Sequence, residues 1–427
     1  MEVTANETKA SGRLPGSVPR SLLPDLGMAY SYSRMNRQHR EPLFTARFFV
    51  MCGFNFAYFL SVLQLLPTAP YRILELGGSE IAAGMFLGFG TYASAFSAPI
   101  TGSLADRFGR RRMMIVCSLA LSALAAAYAV SHDYRVMVGL ALVRGCLQSG
   151  LLCSSSAYMT DFMPAARRGE GLGYWDLSTM LAVALAPSLG FWLYHRGGWM
   201  WLCTSVGILN LVTTAIALQL VDVEAREPAR RVFLGKHLIE WPVLALSMTL
   251  FLYSFGYGGT TSFAALYADA RHVVPKEIFL TTYGIAVLCT RPFLVPLGDR
   301  IGHRRVFLPC LVLIVLGLAL LAASGSRIGI IMAAAVFGTG FGAAYPVFAA
   351  YVMRHVAASR RGAAFGSIHA AFDTGMGTGS IATGWIVHGH GFEAAFAVAA
   401  ILAAMAIPFF LFMERRVLGG ASATPPA

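Results

Sequence analysis

Runs of about 20 apolar residues, separated by joins of a few polar ones, repeat along nearly the whole chain. A helix needs about 20 apolar residues to cross the hydrocarbon core of a bilayer. The pattern predicts twelve such spans, near 44–66, 80–104, 113–131, 136–160, 170–194, 199–221, 241–267, 278–298, 306–324, 327–353, 362–388 and 392–413. Most joins are so short that consecutive helices must run antiparallel. The one long join, 222–240, carries Glu224, Arg226, Glu227, Pro228, Arg230, Arg231 and Lys236. It divides the spans into two halves, 44–221 and 241–413, with six in each. Residues 1–43 are polar, contain Pro15, Pro19 and Pro24, and lack the apolar core of a cleavable signal. They are predicted to form a disordered N-terminal tail, and 414–427 a short C-terminal one.

Composition removes the soluble alternative. Of 427 residues, 56% are hydrophobic and only 13% charged, against about a quarter charged in a soluble globule. The expected class is an all-α membrane protein whose first partner is the lipid bilayer. The net charge of +12 raises nucleic acid as a partner, but the placement of the charge argues against it. With the N-terminus inside, the cytoplasmic segments hold 25 Lys and Arg and the outer loops six: Arg72, Arg135, Arg196, Arg271, Lys276 and Arg327. That asymmetry is the positive-inside rule at work and predicts both termini in the cytoplasm. No nucleic-acid binding is expected. The seven cysteines fall in or beside apolar spans with no CxxC pair, and read as small core residues rather than metal or redox sites.

The two halves are copies. A shift of 193 residues takes Asp106 onto Asp299, Pro99 onto Pro292, Gly109 onto Gly302, Tyr158 onto Tyr351, Arg167-Arg168-Gly169 onto Arg360-Arg361-Gly362, and Gly173 onto Gly366. Parallel repeats of this kind build one large class of secondary transporters.

With the repeat goes a motif, Gly102-Ser-Leu-Ala-Asp106-Arg107-Phe-Gly109-Arg110-Arg111-Arg112, echoed by Leu297-Gly-Asp299-Arg300-Ile-Gly302-His-Arg-Arg305. It resembles the loop between helices two and three of the major facilitator superfamily, and the resemblance extends over all the spans. It implies that fold, with the basic loop as part of a cytoplasmic gate. In the family the Asp caps a helix end of the opposite half and the Arg pairs with an acid at the end of helix four. Here the matching positions are Asp106, Arg107 and Asp161, with Asp299 and Arg300 in the second half, where Arg354 replaces the partner acid. Arg144, Gln148 and Gly150 are similar to a helix-four element of proton-coupled members. Ala186-Pro187-Ser-Leu-Gly190 is similar to the helix-five motif of antiporters, with Ala for its first Gly and Phe191 for its last. Ala343-Ala-Tyr345-Pro346, Arg361-Gly362 and Asp373-Thr-Gly375-Met-Gly377 extend the resemblance to exporters of drugs and siderophore-like metallophores.

Four ionised residues lie well inside spans: Arg144, Asp176, Arg291 and Asp373. Each is costly in hydrocarbon and should face a cavity or a partner. At about 1.5 Å per residue, Asp176 and Arg291 both lie roughly 9 Å from the inner face, whereas Asp373 and Arg144 lie roughly 16 and 18 Å from it. An Asp176–Arg291 bridge between the halves and a deeper Asp373–Arg144 couple are expected. A carboxylate in a partly dry cavity binds a proton closer to neutral pH than one in water, which makes Asp373 the coupling candidate. His369 lies four residues earlier on the same helical face, placed to relay that proton. A purely structural ion pair is the alternative for both. For the substrate, Asn55 and Tyr58 in span one, Gln148 in span four, Tyr257 in span seven and Tyr345 in span ten are candidate contacts. The run Gly256-Tyr-Gly258-Gly259 is expected to break span seven near the midplane.

No GxxxxGK[ST], HExxH or GxSxG occurs, and His388-Gly-His390 lies in an outer loop. An enzyme, a metal site and a cofactor are not expected, and the proton gradient is the implied energy source. The resulting expectation is a monomeric, proton-coupled exporter of a small molecule in a bacterial inner membrane, its basic centre suited to a carboxylate-bearing metabolite. The competing readings are an uptake symporter or facilitator for a sugar or organic anion, and a non-transporting membrane sensor or scaffold.

Overall fold

The computed structural model describes residues 44–163, 167–221, 241–356 and 360–417. The expected N-terminal tail, the 222–240 join and the end of the C-terminal tail lie outside the described residues. Helices account for nearly everything described: α1 Ala46–Glu75, α2 Glu80–Phe108, α3 Arg110–Val130, α4 Tyr134–Phe162, α5 Arg168–Gln219, α6 Trp241–Ala270, α7 Ile278–Ile301, α8 His303–Ala323, α9 Arg327–His355 and α10 Arg361–Val417. All ten are long and apolar enough to cross a membrane.

Two are more than twice the length a bilayer requires, and each contains one residue off the helical path. Gly198 in the 52-residue α5 has φ 67° and ψ −166°. Gly391 in the 57-residue α10 has φ 86° and ψ 172°. A positive φ is open to glycine at little cost and strained for residues with a Cβ. These breaks fall in the gaps expected between spans five and six and between spans eleven and twelve, so each long helix has a first and a second arm. They are also 193 residues apart, which carries the repeat to the far end of each half.

The same economy of glycine makes the basic turns. One residue, Gly109 (φ 92°), separates α2 from α3, and its counterpart Gly302 (φ 103°) separates α7 from α8. Elsewhere short polar side chains start the helices. Thr45 accepts from the Phe48 amide at 3.3 Å, Ser79 from Ala82 at 3.3 Å and Ser326 from Gly329 at 3.1 Å, satisfying amides that have no partner within a helix. Helix α1 runs nine residues past its expected end, through Pro67 and Pro70. Membrane helices tolerate such prolines where neighbouring groups satisfy the freed carbonyls.

Span seven departs from expectation more sharply. Helix α6 is unbroken through Gly256, Gly258 and Gly259. These glycines let backbones approach: a Cβ on Gly258 would collide with the Met376 carbonyl of α10, and one on Gly256 would lie 2.5 Å from Leu318 of α8. Small residues serve this purpose wherever membrane helices pack closely.

Each half packs on itself, α1 on α5 and α2 on α4 in the first, α6 on α10 and α8 on α9 in the second. The halves meet where α2 lies along the first arm of α10 and where α5 crosses α7. Phe96, Phe293, Ile328 and Trp385 are largely exposed on the outside, as befits a surface facing lipid rather than water.

Candidate transport site

The charges inside the helices sort into three environments. Asp176 of α5 and Arg291 of α7 meet across the two halves in an ion pair. They face a cavity of about 630 Å³ lined also by Trp175, Met180, Val295 and Pro346. The cavity lies toward the end of the bundle that carries the Arg clusters, called here the basic end.

Arg144 is placed differently from the expectation of a couple with Asp373. It is 4% exposed and turned into the N-terminal half. One guanidinium nitrogen donates to Gln148 Oε1 at 2.9 Å, another to the Phe86 carbonyl at 3.3 Å, and the group lies 4.9 Å from the Phe86 ring centroid. Equal depth does not bring the two charges together, because Arg144 points toward α2 of its own half.

Asp373 therefore stands alone. It is half-buried in the middle of the first arm of α10. Among the described residues, no hydrogen bond or ion pair reaches it. His369 does not bond it either; its ring packs between Phe365, at 4.7 Å and edge-on, and Tyr345, at 5.4 Å.

The five candidate substrate contacts divide. Asn55 is 1% exposed, and its amide donates to Ser178 Oγ at 2.8 Å and Thr179 Oγ1 at 2.7 Å, joining α1 to α5. Tyr58 is buried too, its hydroxyl 3.5 Å from the Gln148 carbonyl. Gln148 is occupied by Arg144. These three hold the N-terminal half together. Tyr257 and Tyr345 are half-buried and belong to an aromatic cluster beside Asp373. Tyr257 stacks on Phe341 at 4.4 Å, and Tyr345 meets Phe372 edge-on at 5.2 Å. The Tyr345 hydroxyl is buried without a partner. Tyr345 lies within electrostatic reach of Asp373 and also of Arg291 and Asp176, so it links the lone acid to the cavity.

At the basic loops, Arg110 rather than Arg107 pairs with Asp161, and it also lies 3.7 Å from Asp106. Arg107 is exposed, 5.7 Å from the Phe108 ring. Asp106 stays with its own half instead of capping a helix of the other. The repeat preserves this triad with one charge reversed and its hub moved from the base, Arg110, to the acid, Asp299. Asp299 lies 3.3 Å from both His303 Nε2 and Arg354 Nη2, and these positions are the images of Asp106, Arg110 and Asp161. Arg354 thus replaces the acid without losing the bond, because its partner there is the Asp. Arg300 is exposed.

Comparison with known proteins places this architecture. The sequence profile of the Major Facilitator Superfamily matches residues 43–275 and 246–426, which together take in all the helices. The chain belongs to the Major Facilitator Superfamily. It is 26% identical over 381 residues to the uncharacterized MFS-type transporter YhhS of Escherichia coli K12, covering 85% of this chain and 91% of that protein, and matches YhhS of Salmonella typhimurium to the same extent. Among solved structures it superposes on a bacterial homolog of the human lysosomal transporter Spinster (TM-score 0.72, 16% identity, 91% of this chain and 100% of that one). It also superposes on the nucleoside transporter NupG (0.70, 14%, 86% and 99%, as the D323A mutant) and on the human organic anion transporter MFSD10 (0.64, 17%, 87% and 100%). At these identities the structural likenesses establish the fold alone.

In this superfamily transporter a run of contacts joins the halves toward the end opposite the basic loops. His388 Nδ1 lies 2.8 Å from Glu80 Oε2, Ser188 Oγ 2.9 Å from Thr281 Oγ1, and Tyr92 donates to or accepts from Thr378 at 2.6 Å. The Ser380 hydroxyl donates to the Gly84 carbonyl at 2.9 Å, and a Cβ on Gly284 would lie 2.5 Å from Ala184 Cα. Sequence reading missed this seam. Single hydroxyls on apolar helices carry no pattern, and His388 reads as a solvated loop residue until α2 is placed beside it.

Proposed function

We propose that the protein is a proton-coupled secondary exporter of a small drug-like or metallophore-like molecule, working by alternating access in a bacterial inner membrane. In this reading the arms of α5 and α10 count separately, giving twelve crossings with both termini and the basic end in the cytoplasm. The seam at the opposite end and the cavity toward the basic end then correspond to an inward-facing state, ready to take cargo from the cytoplasm. Asp176 and Arg291 act as a bridge that must part and re-form as the halves rock, while the Asp106 and Asp299 triads order the basic loops.

The observation that carries the reading is Asp373. An unpaired carboxylate in mid-helix is expensive unless it is neutralised for part of a cycle, and a proton is the smallest group that does so. The helix-four and helix-five resemblances support coupling and export respectively. Efflux from energised inverted vesicles tests the proposal. Cargo movement is expected to be abolished by a protonophore and by Asp373→Asn, with the variant expressed at the normal level. Gradient-driven transport by Asp373→Asn contradicts the coupling role, and accumulation in the opposite sense contradicts export.

A further inference from the structure

The charge of the space between the halves is fixed by few groups. Asp176 and Arg291 cancel by pairing. Arg144 keeps its charge on the side of the N-terminal half, its guanidinium bonded to Gln148 and to the Phe86 carbonyl, and it does not line the cavity. His369 is enclosed by two aromatic rings. Among the described residues, the charged group left in mid-bundle without a bonded partner is the Asp373 carboxylate. The basic centre expected from the sequence is divided, Arg291 by its pairing with Asp176 and Arg144 by its turn into the N-terminal half, so the charge met beside the aromatic cluster is that of Asp373.

The surroundings of that carboxylate are aromatic. From Tyr345 the rings continue through Phe372 to Tyr257, 6.4 Å further, and to Phe341. They come from α6, α9 and α10 and pack against one another. Pro346, next to Tyr345 on α9, lines the cavity between the halves, which places this cluster beside it. Aromatic faces carry negative potential and attract organic cations, most strongly where water is excluded. A lone acid beside several such faces binds a charge spread over carbon better than a compact, strongly hydrated ion. The adjoining cavity of about 630 Å³ has the capacity of a drug-sized ligand site.

We propose that the cargo is a lipophilic organic cation, held between Asp373 and the rings of Tyr257, Phe341, Phe372 and Tyr345. This rests on the reading of the half-interface as the transport site and narrows it to one substrate class. It favours amine or quaternary cations over carboxylate-rich metallophores. The same carboxylate then accommodates the cation or a proton, never both, and exchange of one for the other is electroneutral for a monovalent cargo.

Equilibrium dialysis of the purified full-length protein with tetraphenylphosphonium tests the proposal, using tetraphenylborate as a probe of the same shape and opposite charge. The phosphonium is expected to bind and the borate not to compete. Asp373→Asn should weaken binding by at least about tenfold, and Asp373→Glu by less than about threefold. Charge arithmetic supplies a second test away from Asp373: Arg291→Gln, which leaves Asp176 uncompensated, should tighten binding, and Asp176→Asn should weaken it. Elution as a single peak from a sizing column establishes that each variant is folded. Absence of phosphonium binding by the unaltered protein, equal binding of the borate, or unchanged affinity in folded Asp373→Asn overturns the proposal. Phosphonium binding that depends on Asp373, without efflux driven by a pH gradient, leaves the cargo class standing and removes the coupling.

Discussion

Asp373 and Asn55 are both legible as polar residues in apolar helices, yet the structure gives them opposite situations. Asp373 has no bonded partner among the described residues. Asn55 is 1% exposed and donates to both Ser178 and Thr179. Sequence spacing sets the depth of a residue through the helical rise of about 1.5 Å. It says little about which neighbour a side chain faces. For that reason depth pairs Asp176 with Arg291 correctly, while Arg144 and Asp373, paired by the same arithmetic, are turned apart. Asn55→Leu removes both hydrogen bonds that join α1 to α5 here, each worth about 0.5–1.5 kcal/mol net. The variant should lose thermal stability in detergent while retaining phosphonium affinity. Lost affinity without lost stability would make Asn55 a cargo contact after all.

Among the elements, glycine is the hardest residue to interpret in advance. Gly109 and Gly302 are visible because they sit in the repeated basic motif, and their positive φ explains why the motif contains them. The glycines of α6 have the same identity and a different use. They pack the unbroken helix against α8 and α10, and no local pattern separates close packing from a helix break. Two positions make a direct comparison. Gly258→Ala forces a methyl against the Met376 carbonyl, whereas a methyl added at Gly53 would have nothing within 4 Å. Overpacking of this kind costs about 1–3 kcal/mol, sometimes more. Gly258→Ala should lower the melting temperature and the yield of monodisperse protein, and Gly53→Ala should change neither. Equal behaviour of the two would refute the packing role of α6.

At the scale of the whole molecule, the duplication, the order of the spans and the breaks at Gly198 and Gly391 are carried by hydropathy and by a constant shift of 193, and need no side-chain geometry. The contacts between halves are not legible, because they rest on isolated hydroxyls and on the approach of Gly84 and Gly284 to the facing backbones. These contacts define a bundle closed at one end. A cysteine pair at Ser188 and Thr281, whose oxygens are 2.9 Å apart, should cross-link on oxidation. The bond should stop transport, and a reductant should restore it, because alternating access requires this seam to open. Full transport with the bond in place would exclude that motion.

The proposed exchange rests on a single carboxylate trading a proton for cargo. The most direct measurement is the proton released when tetraphenylphosphonium is added to purified protein in weakly buffered solution near neutral pH, followed with an indicator dye. Exchange at Asp373 predicts release at binding that saturates together with occupancy, and none from Asp373→Asn. Saturable binding by the unaltered protein without release of a proton at any pH across the neutral range would contradict it.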